Sequence, residues 1–260
     1  VRSAQSSVLC PMSIATTPTL PLLSVVIPCY NSSSVLANNL PFLLNFLSAQ
    51  PYTSEVLVVD DGSLDGQDLE TVCVQHGVRH LRLPENRGKG AAVRLGMLQA
   101  LGEIRLFTDA DIPYETEAIT AMVHYLKEME YHLVVGDRKL PGSVYFQGVA
   151  FNRGIGSKLF SRFVGNFVAS GLYDTQCGIK AFRREAAEDL FGVGRINGFA
   201  FDVELLYLAL KRNYDIKRIP VKLRSTEGSS VSLLRHSLGM MVDVANIILN
   251  HYRKRYTKKS

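Results

Sequence analysis

Short apolar runs suited to strands alternate with longer helical patterns from Leu22 onward, and several of those runs end in acidic residues. A parallel strand pair needs a long crossover, so this alternation restricts the chain to βαβ units feeding a mainly parallel sheet with flanking helices. In such sheets, ligands bind outside the carboxyl ends of the strands. The pattern predicts strands at 22–27, 55–59, 78–83, 104–108, 132–135, 178–182 and within 216–224. The first is expected to stop at Pro28. Helical periodicity covers 35–47, 90–101, 115–129, 152–169, 201–211 and 233–256; in the first of these Leu36, Leu40, Leu43, Leu44 and Leu47 recur at three- and four-residue steps. No internal repeat or low-complexity linker interrupts the pattern. The expectation is a single α/β domain over 22–230, with a flexible leader at 1–21 and an amphipathic helix and basic tail at 231–260.

A chain of 260 residues that is 47% hydrophobic can bury one large core. Its formal net charge of +5 favours anionic partners such as nucleotides, phosphates or acidic lipids, without choosing among them. Cys10, Cys29, Cys73 and Cys177 are far apart, and none has a partner at zinc-site spacing. Neither a disulfide framework nor a structural zinc is indicated, so a reducing, cytoplasmic setting is expected. No apolar run reaches the ~18 residues of a membrane span. The Ser-, Thr- and Pro-rich start lacks the form of a secretory signal, and Met12 is a candidate start.

Three predicted strand ends carry acids: Asp60 and Asp61, then Asp109 and Asp111, then Asp137 followed by Arg138. Asp109-Ala110-Asp111 puts two carboxylates on one loop after a buried strand. Mg²⁺ or Mn²⁺ takes oxygen ligands and is often held by one or two carboxylates plus substrate phosphates. Such an ion stabilises charge on a departing diphosphate. The bare triplet has a second reading, in which Asp111 ahead of Pro113 simply starts the next helix. Arg87 and Lys89 stand in a Gly-rich stretch before a helix, where backbone N–H groups and cations can meet phosphate. A solvated basic turn is the other reading there.

The ordered set Val25-Val26-Ile27-Pro28-Cys29-Tyr30-Asn31, Val58-Val59-Asp60-Asp61-Gly62-Ser63, Asn86-Arg87-Gly88-Lys89-Gly90-Ala91-Ala92 and Thr108-Asp109-Ala110-Asp111 resembles glycosyltransferase family 2, which has the GT-A fold. The likeness spans Leu22 to about Arg224. Gly136-Asp137-Arg138, Asn152-Arg153 through Ser157, Asp174-Thr175-Gln176-Cys177-Gly178-Ile179-Lys180 and Phe199-Ala200-Phe201-Asp202-Val203-Glu204-Leu205-Leu206 narrow it toward the polyprenyl-phosphate (dolichyl-phosphate) sugar synthases, particularly the dolichyl-phosphate β-glucosyltransferases. The resemblance implies a Rossmann-like sheet, a UDP-sugar donor (UDP-glucose ahead of GDP-mannose), a polyprenyl phosphate acceptor and Mg²⁺ or Mn²⁺ as cofactor. Nucleic acid is not implied. Carried over by position, donor contacts fall to Pro28, Tyr30, Asn31, Asp60, Asp61, Lys89, Asp109, Ala110 and Asp111, with Asp109 and Asp111 on the metal. The acceptor phosphate falls to Arg138, Arg153, Ser157 and Lys180, and turnover to Asp111, Arg138, Arg153 and Asp202.

A phosphate monoester, with a second pKa of about 6, is largely anionic at neutral pH and needs no strong base. A neutral sugar hydroxyl would need one, from Asp202, Glu204 or Asp174. Asp202 and Glu204 are two residues apart on a helix and do not share a face. Cys177 is read as a small buried residue. A transferase acting on a soluble glycan and a catalytically silent nucleotide-sugar-binding protein stay open as rival functions. Ser32-Ser33-Ser34 stands where many relatives are acidic, and Ser230 where lysine is common, which leaves Arg224 as a substitute cation. The N-terminal membrane anchor of eukaryotic relatives is expected to be missing. Leu238, Met241, Val242, Ala245, Ile248, Leu249 and Tyr252 recur at helical spacing before Arg253-Lys254-Arg255 and Lys258-Lys259. That segment reads either as an interfacial helix, giving peripheral contact with the cytoplasmic membrane face, or as a helix packed on the core.

Overall fold

The computed structural model describes residues 20–144, 174–224 and 233–257, and only the backbone of 233–241. Strands β1 (Leu23–Cys29), β2 (Ser54–Asp60), β3 (Arg79–Arg82), β4 (Ile104–Phe107), β5 (Leu133–Asp137), β6 (Lys180–Arg183) and β7 (Ile216–Pro220) join in one sheet. Their order is β3-β2-β1-β4-β6-β5-β7. Every pairing is parallel except the two that β6 makes with β4 and β5. The helices are α1 (Ser33–Ser48), α2 (Gly66–His76), α3 (Lys89–Gln99), α4 (Glu117–Lys127), α5 (Arg184–Val193), α6 (Phe201–Lys211) and α7 (Leu233–Tyr252).

Alternation along β1 divides the core between the two sheet faces. Val26 belongs to a cluster with Met97 of α3, Leu190 of α5, Leu205 of α6 and Ile247 of α7. Val25 and Ile27 belong to the other, with Leu40 of α1, Leu69 of α2 and Met122 of α4. Successive strand side chains point to opposite faces, and here both faces are covered. That is why the central strands read as continuous apolar runs.

The expected α/β architecture stands, with corrections in detail. Pro28 does not stop the first strand: β1 continues to Cys29, and Pro28 pairs in register with Val59. Cys29 accepts from Asp61 N–H on the β2 side, so alternation turns the missing Pro28 donor toward β4. Pairing with β4 has already ended at Val26 and Phe107, so no ladder bond is forfeited. Helices α2 and α5 were not expected. α2 buries only Gly66, Leu69 and Cys73, whereas α5 buries Ala186, Ala187, Leu190, Phe191 and Val193 at helical steps, a short stripe that the sequence already carries. The final strand run is shorter than 216–224; beyond Pro220 only isolated bridges remain, Tyr114 with Leu223 and Val144 with Lys222. The helix expected at 152–169 lies outside the described residues, as does almost all of the leader. Among the described residues no helix is long and apolar enough to cross a membrane.

Candidate active site

Since β1 lies between β2 and β4, the loops after these three strands share one rim of the sheet. The loop after β1 is clasped to the loop after β2. Asn31, in the left-handed region that asparagine tolerates, donates its N–H to Ser63 Oγ at 3.0 Å, and its Oδ1 accepts from Leu64 N–H at 2.8 Å. Tyr30 is 46% exposed on this rim and Pro28 is half-buried beneath it. Asp60 is fully buried: its Oδ1 accepts from Ser63 N–H at 2.8 Å, and its Oδ2 lies 3.2 Å from Arg82 Nη1. Asp61 accepts from the N–H groups of Arg87 and Gly88, each at 2.8 Å, and so anchors the Gly-rich loop by its backbone. Gly88 has φ +99°, and a Cβ there would sit 2.5 Å from the Asn197 carbonyl, so this turn accepts only glycine.

That loop delivers Lys89 to the end of β4. Its Nζ donates to Asp109 Oδ1 at 2.5 Å. Burial works against the ammonium, but Asp109 and Asp202 outweigh it and hold the pKa above the usual lysine value. On its other side Asp109 meets Gly178: a Cβ at that glycine would lie 2.2 Å from Asp109 Oδ2. Asp111 differs from its neighbour. Its Oδ1 is buried with no hydrogen-bond partner, and among the described residues it forms no ion pair. Burial and then the charge of Asp109 push its carboxyl up to about 6. An orphaned carboxylate oxygen beside a second carboxylate is a donor set that a hard divalent cation fits. No cluster of three or more His, Cys, Asp or Glu suited to a metal exists among the described residues, so substrate oxygens and water would complete the shell.

Arg224 fastens this loop. Its Nε donates to Ile112 O and its Nη2 to Asp111 O, both at 3.2 Å, and its guanidinium lies 4.4 Å from the centre of the Phe42 ring. Nη2 also donates to Asn39 Oδ1. The suggested substitute cation is therefore engaged as a clamp on the Asp111 turn. Ile112, a buried β-branched residue, has φ 42°, a conformation that costs on the order of 1–3 kcal/mol and needs such outside support.

Two further ion pairs stand beside these loops. Lys180, wholly buried, donates to Asp202 Oδ1 at 2.6 Å and to Cys177 O at 2.7 Å, with its ammonium 5.4 Å from the centre of the Phe107 ring. Burial raises the Asp202 pKa against the pull of Lys180 and Lys89. Arg138 grips Asp174 in a two-pronged pair, with Nη2 to Oδ1 at 2.5 Å and Nε to Oδ2 at 2.8 Å. Burial opposes both charges, yet the pair holds Asp174 below and Arg138 above their usual values. Glu204 faces elsewhere, accepting from the Arg195 and Ile196 N–H groups at 2.9 Å and from Tyr256 at 2.7 Å. Cys177 is buried, and burial raises its thiol away from the reactive thiolate.

The structure thus brings together Lys89, Asp109, Asp111, Lys180 and Asp202, with Arg138 and Asp174 as the partner pair of the next strand end. Ala110, half-buried, links the two metal candidates. Arg153 and Ser157 lie outside the described residues. Sequence reasoning missed the placement of Gly178 against Asp109, of Phe107 beneath Lys180 and of Asn197 behind the Gly-rich loop. No spacing rule exposes these contacts, because each joins residues far apart in the chain.

Residues 24–191 match the family model described as glycosyl transferase family 2. Among curated proteins, the dolichyl-phosphate beta-glucosyltransferase of Dictyostelium discoideum is 34% identical over 86% of this chain and 73% of its own length. That of Drosophila melanogaster is 36% identical over 85% and 72%. Among solved structures, mannosyl-3-phosphoglycerate synthase from Rubrobacter xylanophilus superposes with a TM-score of 0.69 at 17% identity, covering 90% of this chain and 75% of that one. Glucosyl-3-phosphoglycerate synthase from Mycobacterium tuberculosis, in complex with Mn²⁺, UDP and glucosyl-3-phosphoglycerate, gives 0.66 at 20% identity, covering 87% and 80%.

Proposed function

Because the chain belongs to glycosyltransferase family 2, we propose that it transfers glucose from UDP-glucose to a polyprenyl phosphate with inversion at the sugar carbon. The observation that carries this reading is the pair at the tip of β4: Asp109 tied to Lys89, and Asp111 with its Oδ1 buried and without a hydrogen-bond partner. Asp109 and Asp111 would hold Mg²⁺ or Mn²⁺. When bound, such an ion neutralises charge on the departing diphosphate.

The chain's own groups supply position and charge. Lys89 and the Gly-rich loop present a cation and backbone N–H groups where the diphosphate leaves. Tyr30 and Asn31 border the rim that would receive the nucleoside. An oxygen of the acceptor phosphate attacks the sugar's anomeric carbon from the side opposite the diphosphate; the new C–O bond forms as the bond to UDP breaks. The nucleophile is already anionic, so no proton has to be removed. Asp202, locked to Lys180, then serves to hold that buried ammonium rather than as a base. Arg138, oriented by Asp174, together with Arg153 and Ser157, is assigned to the acceptor phosphate, whose oxygens suit a guanidinium fork. A lipid acceptor places the work at a membrane surface, on the cytoplasmic face in this reading.

The test is transfer of labelled glucose from UDP-glucose to a polyprenyl phosphate by the purified chain, with Mn²⁺ or with chelator. Product that requires the cation, with Arg153→Ala raising KM for the lipid phosphate, is expected. Transfer to soluble sugars alone, or UDP binding without any turnover, would overturn it.

A further inference from the structure

Away from the strand ends, α7 and the turn before α6 enclose a cleft of about 330 Å³. Its walls carry the guanidiniums of Arg195, Arg253 and Arg255, the amides of Asn246 and Asn250, and a single carboxylate, Asp243. Among the described residues three cations therefore face one anion. Arg195 donates to the Arg255 carbonyl at 3.1 Å, which ties the two walls together, and Arg253 is exposed at the mouth.

The neighbouring face of α7 is apolar and open. Val242, Ala245, Leu249 and Tyr252 follow one another at three- and four-residue steps and are all exposed, Val242 at 61% and Tyr252 at 79%. Such spacing aligns them in one stripe along the helix. The opposite face, with Val244 and Ile247, is packed in the core, so the stripe is left over after folding and is not needed for it. Leu249 belongs to both stripe and cleft wall. An apolar strip edged by a cationic recess matches the acyl boundary and charged headgroup layer of an anionic bilayer.

We propose that this cleft takes the headgroup of an anionic phospholipid while the Val242–Tyr252 stripe rests in the bilayer interface. The site is separate from the donor site but adjoins it through one short turn. Asn197 lines the cleft, and its carbonyl accepts the Gly90 N–H at 2.7 Å behind the loop that carries Lys89. The inference takes its setting from the proposed lipid acceptor, but its test does not use that lipid.

The full chain is sedimented with phosphatidylcholine vesicles, with and without phosphatidylserine, in the absence of UDP-sugar and polyprenyl phosphate. Binding should require phosphatidylserine and weaken with salt. Arg195→Gln and Arg253→Gln should each lower partitioning about fivefold. Leu249→Ser with Tyr252→Ser, on exposed positions that leave the core intact, should lower binding at high salt, and Lys127→Gln on α4 should change nothing. Equal binding to neutral vesicles, unchanged binding of the arginine variants, or saturable binding of inorganic phosphate with no vesicle binding at all would overturn the proposal. Transfer to a short, water-soluble polyprenyl phosphate, unaltered in these variants, separates failure of docking from failure of the transferase reading.

Discussion

Replacing Gly178 by alanine adds one methyl group where it can touch little but the Asp109 carboxylate. The new carbon would lie 2.2 Å from Oδ2 and 3.1 Å from Cγ, so about 1 Å of movement is needed to restore ordinary contact. Gly178 is not in the left-handed region, so alanine meets no backbone penalty. The loss of glycine's freedom in the unfolded chain instead favours folding by about 0.4–1 kcal/mol. The clash falls on the far end of a side chain that can turn, so the fold survives. What moves is the carboxylate that also pairs with Lys89 at 2.5 Å. A displacement of this size at a reacting centre costs on the order of 10²-fold in rate. The expected outcome for Gly178→Ala is a melting temperature at or above that of the parent, with transfer from UDP-glucose down about a hundredfold and a weaker response to Mn²⁺. Full transfer at the parent's Mn²⁺ requirement would show that the position of Asp109 does not govern the reaction.

The raised carboxyl of Asp111 sets a pH dependence. Its folded-state value of about 6 lies above the ordinary 3.8, so it contributes stability that is complete below the ordinary value and is lost as pH rises through about 6. A cation binds the ionised form, so the rise in melting temperature caused by Mn²⁺ should grow across that window; an increment independent of pH would count against Asp111 as a ligand. Asp174→Asn leaves the buried Arg138 charge without its partner and should destabilise the chain by about 3–5 kcal/mol in denaturant titrations. Glu204→Ala should cost about 1–3 kcal/mol by stranding the Arg195 and Ile196 N–H groups, while UDP binding measured by calorimetry stays as before. Asp202→Asn leaves the wholly buried Lys180 ammonium without its counter-charge and should destabilise the chain by about 3–5 kcal/mol in the same denaturant titrations.

The parts of the fold that could be read in advance are those whose side chains repeat with the period of their element. β1, β2 and β4 are apolar on both faces, and α6 was placed at its observed bounds because nearly all of it is buried. α5 escaped because it is only ten residues long, although Ala186, Ala187, Leu190, Phe191 and Val193 line its inner side at helical steps, and α2 because Gly66, Leu69 and Cys73 suffice to seat it. The acids at the strand ends were legible for a different reason: a charged residue closing a buried strand has no packing explanation. Their partners were not legible. Nothing in Gly178 or Phe107 marks them as neighbours of Asp109 and Lys180, since β6 reaches β4 only through an antiparallel pairing that depends on the whole topology. Lys180 shows the limit most clearly. Its letter suggests a cation offered to phosphate, whereas the structure seals it over the Phe107 ring and pairs its charge with Asp202.

That sealing bears on why the site asks for a cation at all. Asp109, Asp174 and Asp202 each have a cation of their own, in Lys89, Arg138 and Lys180. Asp111 alone in this group has none, and its pKa rises because burial and Asp109 make its charge costly. Among these described groups the three ion pairs cancel their own charges, so Lys89, Arg138 and Lys180 bring little net positive charge to a diphosphate and a phosphate arriving together. Among the described groups each incoming anion would also meet the Asp111 carboxylate, whose neighbour Arg224 holds its backbone carbonyl rather than its side chain. A divalent ion at Asp111 reverses the sign at the one place where the chain itself does not, and it does so only when bound. Substituting Asp111→Asn should then remove the cation's effect on stability while leaving the three ion pairs, and hence the fold, in place.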